Sequence, residues 1–406
     1  MLVPDTGIAH RPGILASGAA PSYTAAMTKP NPGDGSRRRA RLSRNQAANL
    51  ARVRRTVLRG GGLINRYAVG IALGVAAIAA ALVIGGPSIT PEEEAQAQFF
   101  QISTASPGGT YFPIGRTLAS IISQPPGSEP CRQGGRCGVP GLIAVAKASP
   151  GSVANVRNVN SGRVESALVQ ADVAAWAFNG ERMFDGEGYA SNLRAIASLY
   201  PEAVQLVAAR RAEIGSVADL RGKRVSIGRV DSGTRVDAQL ILKAYGIEEA
   251  DLTIVEVDSL EASDMILRGA LDAFFLLAGT PSLAVSDLVG RGDVTLVPID
   301  GPPAEDLVAN NSFFVPYLVA DGVYPGVPET ATLSVRALWI THAALSAKLV
   351  RRITEAMWSP ANRDILDRGH PKALEIRIET ALEGIPIPLH RGARAAYRDM
   401  GVALPE

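Results

Sequence analysis

From Phe99 onward, short apolar runs alternate with longer segments in which apolar residues recur every three to four positions. Phe99–Ser103, Ser166–Gln170, Arg224–Gly228, Thr253–Val257 and Leu271–Leu277 read as strands. Ile114–Ile122, Asp172–Phe178, Thr234–Tyr245 and Glu261–Leu267 read as helices, and Val236, Leu240, Ile241 and Ala244 share one face of the third. Alternation of this kind predicts βαβ units and mostly parallel sheets. The series is too long for one open sheet of ordinary size, so it predicts two α/β lobes.

The chain before Phe99 has another pattern. Residues 1–35 are rich in Gly, Pro, Ala and Ser without an apolar period, and read as a disordered tail. Ten Arg lie between Arg37 and Arg66, and no acid occurs between Asp34 and Glu92. Ala68–Gly86 then runs nineteen residues without a charge, enough for one helical crossing of a bilayer. An Ala-rich core helix would carry a polar face, and this segment has none. Positive charge before it and Glu92, Glu93 and Glu94 after it put the folded part outside the cytoplasm. Ala95-Gln96-Ala97 fits a cleavage site, placed further past the apolar run than is usual, and Arg54-Arg55 resembles a loose twin-arginine signal. No Cys stands just after the run, which excludes a lipoprotein anchor.

Composition narrows the function. With 406 residues and 47% hydrophobic content, neither wholesale disorder nor a many-span membrane protein fits. The net charge of +2 divides into +7 over residues 1–97 and −5 over residues 98–406. The folded part is mildly acidic, which argues against nucleic acid as a partner. Two Cys exclude a disulfide-framework miniprotein and a four-Cys zinc site. Cys131 and Cys137 bracket Arg-Gln-Gly-Gly-Arg; a disulfide, a metal pair and reactive thiols all suit that spacing, and an oxidising space outside the cytoplasm favours the disulfide. No G-x-S-x-G, H-E-x-x-H or paired C-x-x-C occurs, and His10, His342, His370 and His390 are scattered. The expectation is a binding protein, not an enzyme, with no metal and no cofactor.

Chemistry in α/β folds gathers where strands end and helices begin. Three such loops stand out: Ser106-Pro107-Gly108-Gly109-Thr110-Tyr111, Arg229-Val230-Asp231-Ser232-Gly233-Thr234 and Ala278-Gly279-Thr280-Pro281-Ser282. Gly allows close approach of a ligand to the backbone, and free N–H groups at a helix start attract an anion. The competing reading is plain helix capping, the commonest use of Ser-Gly-Thr at such a place. Two loops from different lobes together point to a small anion held between them. Neither is G-x-G-x-x-G or G-x-x-x-x-G-K-[ST], so no nucleotide is indicated. Asp172 at a helix start reads more simply as complementing the helix dipole than as a base. Tyr111, Tyr200, Trp176 and Phe178 are suited either to a pocket wall or to core.

Across almost all of residues 98–406 the sequence resembles the TAXI class of solute receptors, which serve TRAP transporters in bacteria. The resemblance is carried by STASPGGTYFPIG, GSVANVRNVNSGRVESALVQADVA, ASLYPEAVQLVA, VADLRGKRVSIGRVDSGT, LDAFFLLAGTP and LEGIPIPLHRGARAAYRDMG. It implies an α/β, two-lobed fold of the type II periplasmic-binding-protein kind with a ligand cleft between lobes, preceded by the one N-terminal transmembrane or signal helix. It further implies a small organic acid or amino acid ligand, TRAP permease subunits as partners, and attachment to the membrane through the N-terminal helix. The location implied is the periplasmic side of the inner membrane, anchored or released after cleavage near Ala97. Carried over by position, the ligand residues are Gly109, Thr110, Tyr111, Gln170, Asp172, Tyr200, Ser232, Gly233 and Thr234. Asp231 and Arg235 depart from the usual pattern around Ser-Gly-Thr, and Arg235 either attracts a carboxylate or points to solvent. A receptor that signals to a membrane partner is the alternative on the same scaffold. The expected organisation is 1–67 disordered, 68–86 membrane helix, 87–97 linker, 98–200 first lobe, 201–300 second lobe, and 301–406 returning to complete the first. Replacing Ser232 and Thr234 together by Ala is expected to weaken binding beyond tenfold with melting temperature nearly unchanged.

Overall fold

The computed structural model describes residues 97–404, apart from residues 130, 132–136, 292 and 293. The Arg-rich segment, the apolar run at 68–86 and most of the expected linker lie outside the described residues. Among the described residues no helix is long and apolar enough to cross a membrane. The strands are β1 (Gln98–Ser103), β2 (Ser123–Gln124), β3 (Val139–Pro140), β4 (Leu142–Lys147), β5 (Ser166–Gln170), β6 (Leu193–Ala209), β7 (Arg224–Ser226), β8 (Thr253–Val255), β9 (Ala273–Ala278), β10 (Val294–Val297), β11 (Val315–Val319) and β12 (Thr330–His342). The helices are α1 (Tyr111–Ile122), α2 (Ser152–Asn160), α3 (Ala171–Asn179), α4 (Gly233–Ala244), α5 (Ser259–Leu267), α6 (Leu283–Arg291), α7 (Pro302–Asn310), α8 (Ala347–Trp358), α9 (Arg363–Gly369) and α10 (Arg391–Asp399). The elements expected from periodicity all occur, with ends shifted by a few residues.

Two α/β lobes share two long strands. In the first lobe β4, β1 and β5 run parallel, in the second β8, β7 and β9 do, and β6 and β12 pass through both. β6 and β12 are antiparallel to each other and to the strands they border, β5 and β9. The sheets are therefore parallel at their outer strands and antiparallel at the centre. The apolar runs of β5 and β9 are buried at every position because helices cover both faces of a parallel sheet.

The passage between lobes is legible in β6. Its register with β12 slips between Arg336 and Leu338, opposite Pro201. Proline has no N–H for a sheet ladder and sits in a strand only where pairing is irregular. Beyond that point Ala203 begins pairing with β9. Both lobes have their own apolar core. Ile114, Leu118, Tyr200, Trp339, Val350 and Tyr397 are among the first lobe's residues, and Leu206, Val225, Ile241, Phe274, Leu288 and Leu307 among the second's.

The boundary expected at 301 requires correction. Ala304, Leu307, Phe314, Val319, Tyr324 and Leu333 pack in the second core, so the chain returns to the first lobe only along β12. α7 packs against α4, and β11 pairs with β12 as a largely exposed strand. The Pro-Ile-Pro-Leu-His segment then lies along β6: Ala195 donates its N–H to the Pro388 carbonyl at 2.9 Å, and His390 donates its own to Ala195 at 2.9 Å. The His390 ring accepts the Gly392 N–H and so caps α10. Cys131 and Cys137 are joined in a disulfide.

Candidate functional site

A cavity of about 340 Å³ lies between the lobes, lined by the strand-to-helix loops that open α1, α2, α4 and α5. Each of these helices follows the carboxyl end of a strand, so four helix N-termini border one small space. Helix starts carry partial positive charge and unpaired N–H groups, which favour an anion. Ala262 and Phe275–Leu277 supply an apolar side. Among the lining residues the one basic side chain is Arg229. It stands 55% exposed and 3.6 Å from the Asp258 carboxylate, so its charge is spent at the rim.

The four starts are not equivalent. Thr110 and Gly151, preceding α1 and α2, place no side-chain cap on the helix. Ser232 accepts the Arg235 N–H and caps α4, and Asp258 accepts from Leu260 and Glu261 and caps α5. The first lobe's helix starts thus lack a side-chain cap, although the Asp231 carbonyl of the second lobe takes the Ala154 N–H of α2, while the second lobe satisfies part of its own starts with side chains.

The lobes touch on either side of the cavity. Ala154 donates its N–H to the Asp231 carbonyl at 3.1 Å, Arg157 pairs with Asp231 at 2.6 Å, and the Ala284 N–H reaches the Gly108 carbonyl at 3.0 Å. The buried amide of Gln170 donates to Asp237 Oδ2 at 2.6 Å. Glycines are needed where the backbones meet. A Cβ on Gly108 would lie 2.6 Å from Ser259 Oγ, and one on Gly233 would overlap the Gln170 amide oxygen.

Seven of the nine residues expected at the site line the cavity: Gly109, Thr110, Tyr111, Gln170, Ser232, Gly233 and Thr234. Tyr200 and Asp172 do not. Tyr200 is fully buried behind the wall and donates its hydroxyl to Thr110 Oγ1 at 3.2 Å. Asp172, also fully buried, faces Asp237 of the other lobe. The hydroxyls of the Ser-Gly-Thr loop are already engaged, since Ser232 Oγ donates to the Arg229 carbonyl and Thr234 Oγ1 accepts the Leu277 N–H. These side chains act as caps and ties, and what the loop leaves for a ligand is backbone. The expectation that their joint loss would leave melting temperature unchanged is revised accordingly. Arg235 points away from the cavity and pairs with Glu249 and Glu256. The loop at 278–282 is not part of the lining: Gly279 gives its N–H to Thr110 Oγ1 at 2.9 Å, and Ser282 gives its own to the Tyr324 hydroxyl.

Glu202, a carboxyl in the cavity wall, was not among the residues expected from the sequence. Glu202, only 2% exposed, lines the cavity and accepts the Tyr111 hydroxyl on Oε2 at 2.6 Å. Burial pushes its pKa up to about 8, the Tyr111 bond and Lys372 oppose the rise, and Asp172 adds to it. Asp237 is raised well above an ordinary carboxyl by burial and by Asp172; Asp172 is raised by burial, and a hydrogen bond from Asp237 and the Val173 N–H hold it lower. Two acids meeting in a buried place cannot both ionise cheaply, which agrees with both being raised. In the sequence Glu202 is one acid after Pro201 inside an otherwise apolar run, which was the available signal. Pro150-Gly151-Ser152, another missed loop, had the same strand-loop-helix form as the loops chosen.

Residues 102–401 match the NMT1-like family, and the chain belongs to that family. Among solved structures it is similar to the periplasmic aliphatic sulphonate binding protein SsuA of Escherichia coli, with 13% identity, 75% of this chain and 84% of that chain covered, and a TM-score of 0.38. It is similar also to PhnD1 of Prochlorococcus marinus in complex with methylphosphonate, at 12% identity over 75% and 99% of the two chains and a TM-score of 0.43. A TctC solute binding protein from Polaromonas matches at 14% identity over 67% and 88%, with a TM-score of 0.36.

Proposed function

We propose that this member of the NMT1-like family is an extracytoplasmic solute receptor of the TAXI class. It binds a small carboxylate, such as an amino acid, a dicarboxylate or a 2-oxoacid, and delivers it to a separate TRAP-type membrane permease. The observation that carries the reading is the small cavity between lobes, into which the uncapped starts of α1 and α2 open. A volume of about 340 Å³ suits a metabolite and excludes a polymer. The ligand's anionic group meets helix-start N–H groups of the first lobe, and the second lobe closes over it about β6 and β12. The apolar segment at 68–86 would hold the receptor at the membrane or direct its export.

The test is a thermal-shift screen of the full chain in mild detergent. Amino acids, dicarboxylates, 2-oxoacids and neutral sugars are compared, with methylphosphonate and an alkanesulphonate added because helix-start N–H groups hold any oxyanion. A ligand at hundredfold excess over its Kd stabilises the folded state by about 2.7 kcal/mol, enough to shift the melting temperature. A shift with one carboxylate class supports the reading. A shift with sugars alone, or with phosphonate or sulphonate alone, overturns the ligand class.

A further inference from the structure

We propose that Glu202 is a specificity-determining residue of the cleft, a neutral carboxyl whose Oε1–H donates to an acceptor oxygen of the bound anion. The inference rests on the carboxylate reading above and adds that binding requires a proton on the protein. Three observations lead to it. Glu202 lines the cavity, and its Oε2 already accepts the Tyr111 hydroxyl, so the other oxygen, Oε1, is the one assigned as donor. The basic groups nearby are held elsewhere: Arg229 stands at the rim beside Asp258, and Lys372 is turned to Glu375 at 2.8 Å and to the Tyr317 hydroxyl at 3.1 Å. Behind Glu202 stand the fully buried carboxyls of Asp172 from α3 and Asp237 from α4, whose charges would oppose a further negative charge there.

The remaining titratable group beside it is Tyr200, which stays protonated because burial and the Glu202 charge raise its pKa. A negative charge on Glu202 would thus face Asp172 on one side and an anionic ligand on the other. Lys372 gives partial compensation, and burial outweighs it, which agrees with a pKa of about 8. An anion in the cavity raises that value further, so at neutral pH the carboxyl keeps its proton and serves as a donor. The site then holds an anion with N–H and O–H donors in place of a cationic side chain. No bond is made or broken; one proton is retained by Glu202 when the anion enters.

The experiment is calorimetric titration of the full chain with 2-oxoglutarate and with L-glutamate, which carries an ammonium in place of the oxo group, from pH 6 to 9.5. Wild-type affinity for 2-oxoglutarate is expected to be flat to about pH 7.5 and to fall by up to about tenfold per unit beyond pH 8. Glu202→Gln retains an N–H donor and cannot titrate. It should bind within a few-fold of wild type at pH 7 and stay flat to pH 9.5. Loss of more than tenfold in Glu202→Gln at pH 7, with L-glutamate preferred by the wild type, overturns the proposal and makes Glu202 an ionised partner for an ammonium. Equal pH dependence in both proteins also overturns it and assigns the titration to Asp172 and Asp237. If neither probe binds, infrared difference spectra of the ligand-free proteins decide. A protonated carboxyl band at pH 7 that is missing in Glu202→Gln upholds the proton on Glu202, and only the carboxylate reading falls. Absence of that band overturns the proposal itself.

Discussion

The two lobes present the same construction to the cavity and use it differently. Each brings two helix starts after parallel strands. In the second lobe Ser232 and Asp258 cap their own helices, whereas Thr110 and Gly151 in the first leave theirs uncapped. A capped N–H is already partnered and gives a ligand little; an uncapped one is a ready anion site. On the proposed function, that difference would give anion capture to the first lobe and closure to the second, and substitutions on each side should separate these roles.

The largest effect is expected at the contact that closure requires. Gly233→Val places a branched side chain against the Gln170 amide, which Ser152 and Asp237 hold in place. Ligand affinity should fall by about hundredfold or more, equivalent to roughly 2.7 kcal/mol. The ligand-free melting temperature should move by only a few degrees, since each lobe retains its own core. Unchanged affinity in calorimetry would show that the contact is incidental to binding.

Next in size is the pH dependence of stability. Glu202, Asp172 and Asp237 have folded-state pKa values above those of the unfolded chain, so the folded state holds more protons. Their contribution is fully present below about pH 4 and is lost as pH rises; for Glu202 the loss is complete near pH 8. Each such proton gives a slope of up to about 1.4 kcal/mol per pH unit within its window. Asp237→Asn keeps a donor for Asp172 and removes one titration, so denaturant midpoints between pH 5 and 8 should vary less than in wild type. Equal slopes in the two proteins would show that Asp237 does not titrate in that window.

Caps give a smaller effect of another kind. Ser232→Ala should destabilise by about 1 kcal/mol. Adding Thr234→Ala, which loses the tie to Leu277, should lower the melting temperature further. Affinity should change by less than tenfold, because the groups left to the ligand are backbone. A large loss of affinity with an unchanged melting temperature would restore the hydroxyls as direct ligand contacts.

The smallest effect belongs to the rim. Arg157, with a third of its side chain exposed, bridges Glu187 and Asp231 across the lobes. Pairs of that exposure contribute about 1 kcal/mol or less and weaken in salt. Arg157→Ala should therefore weaken binding by no more than about fivefold at low salt and by less at 0.5 M salt, measured as Kd. A larger or salt-independent loss would place this pair within the closing mechanism itself.

Much of this molecule was decided locally, and the chain alone determined it. The apolar runs at Ser166–Gln170 and Leu271–Leu277 became strands because branched and aromatic side chains in sequence suit a sheet covered on both faces. The Gly-containing loops at 106–111 and 229–234 became helix starts in the cleft because a strand's carboxyl end followed by a helix places them there. Pro201 marked the passage between lobes, since a proline inside a strand requires an irregular ladder. What the chain could not determine depends on residues far apart in sequence. Tyr111 and Glu202 are 91 positions apart, and Gln170 and Asp237 are 67, so no local spacing could announce either bond. Asp172 read locally as a dipole-complementing acid and, through the family resemblance, as a ligand residue, whereas the fold buries it against Asp237 of the second lobe, away from water. Burial sets the charge of such a carboxyl, and burial exists only once the lobes have come together.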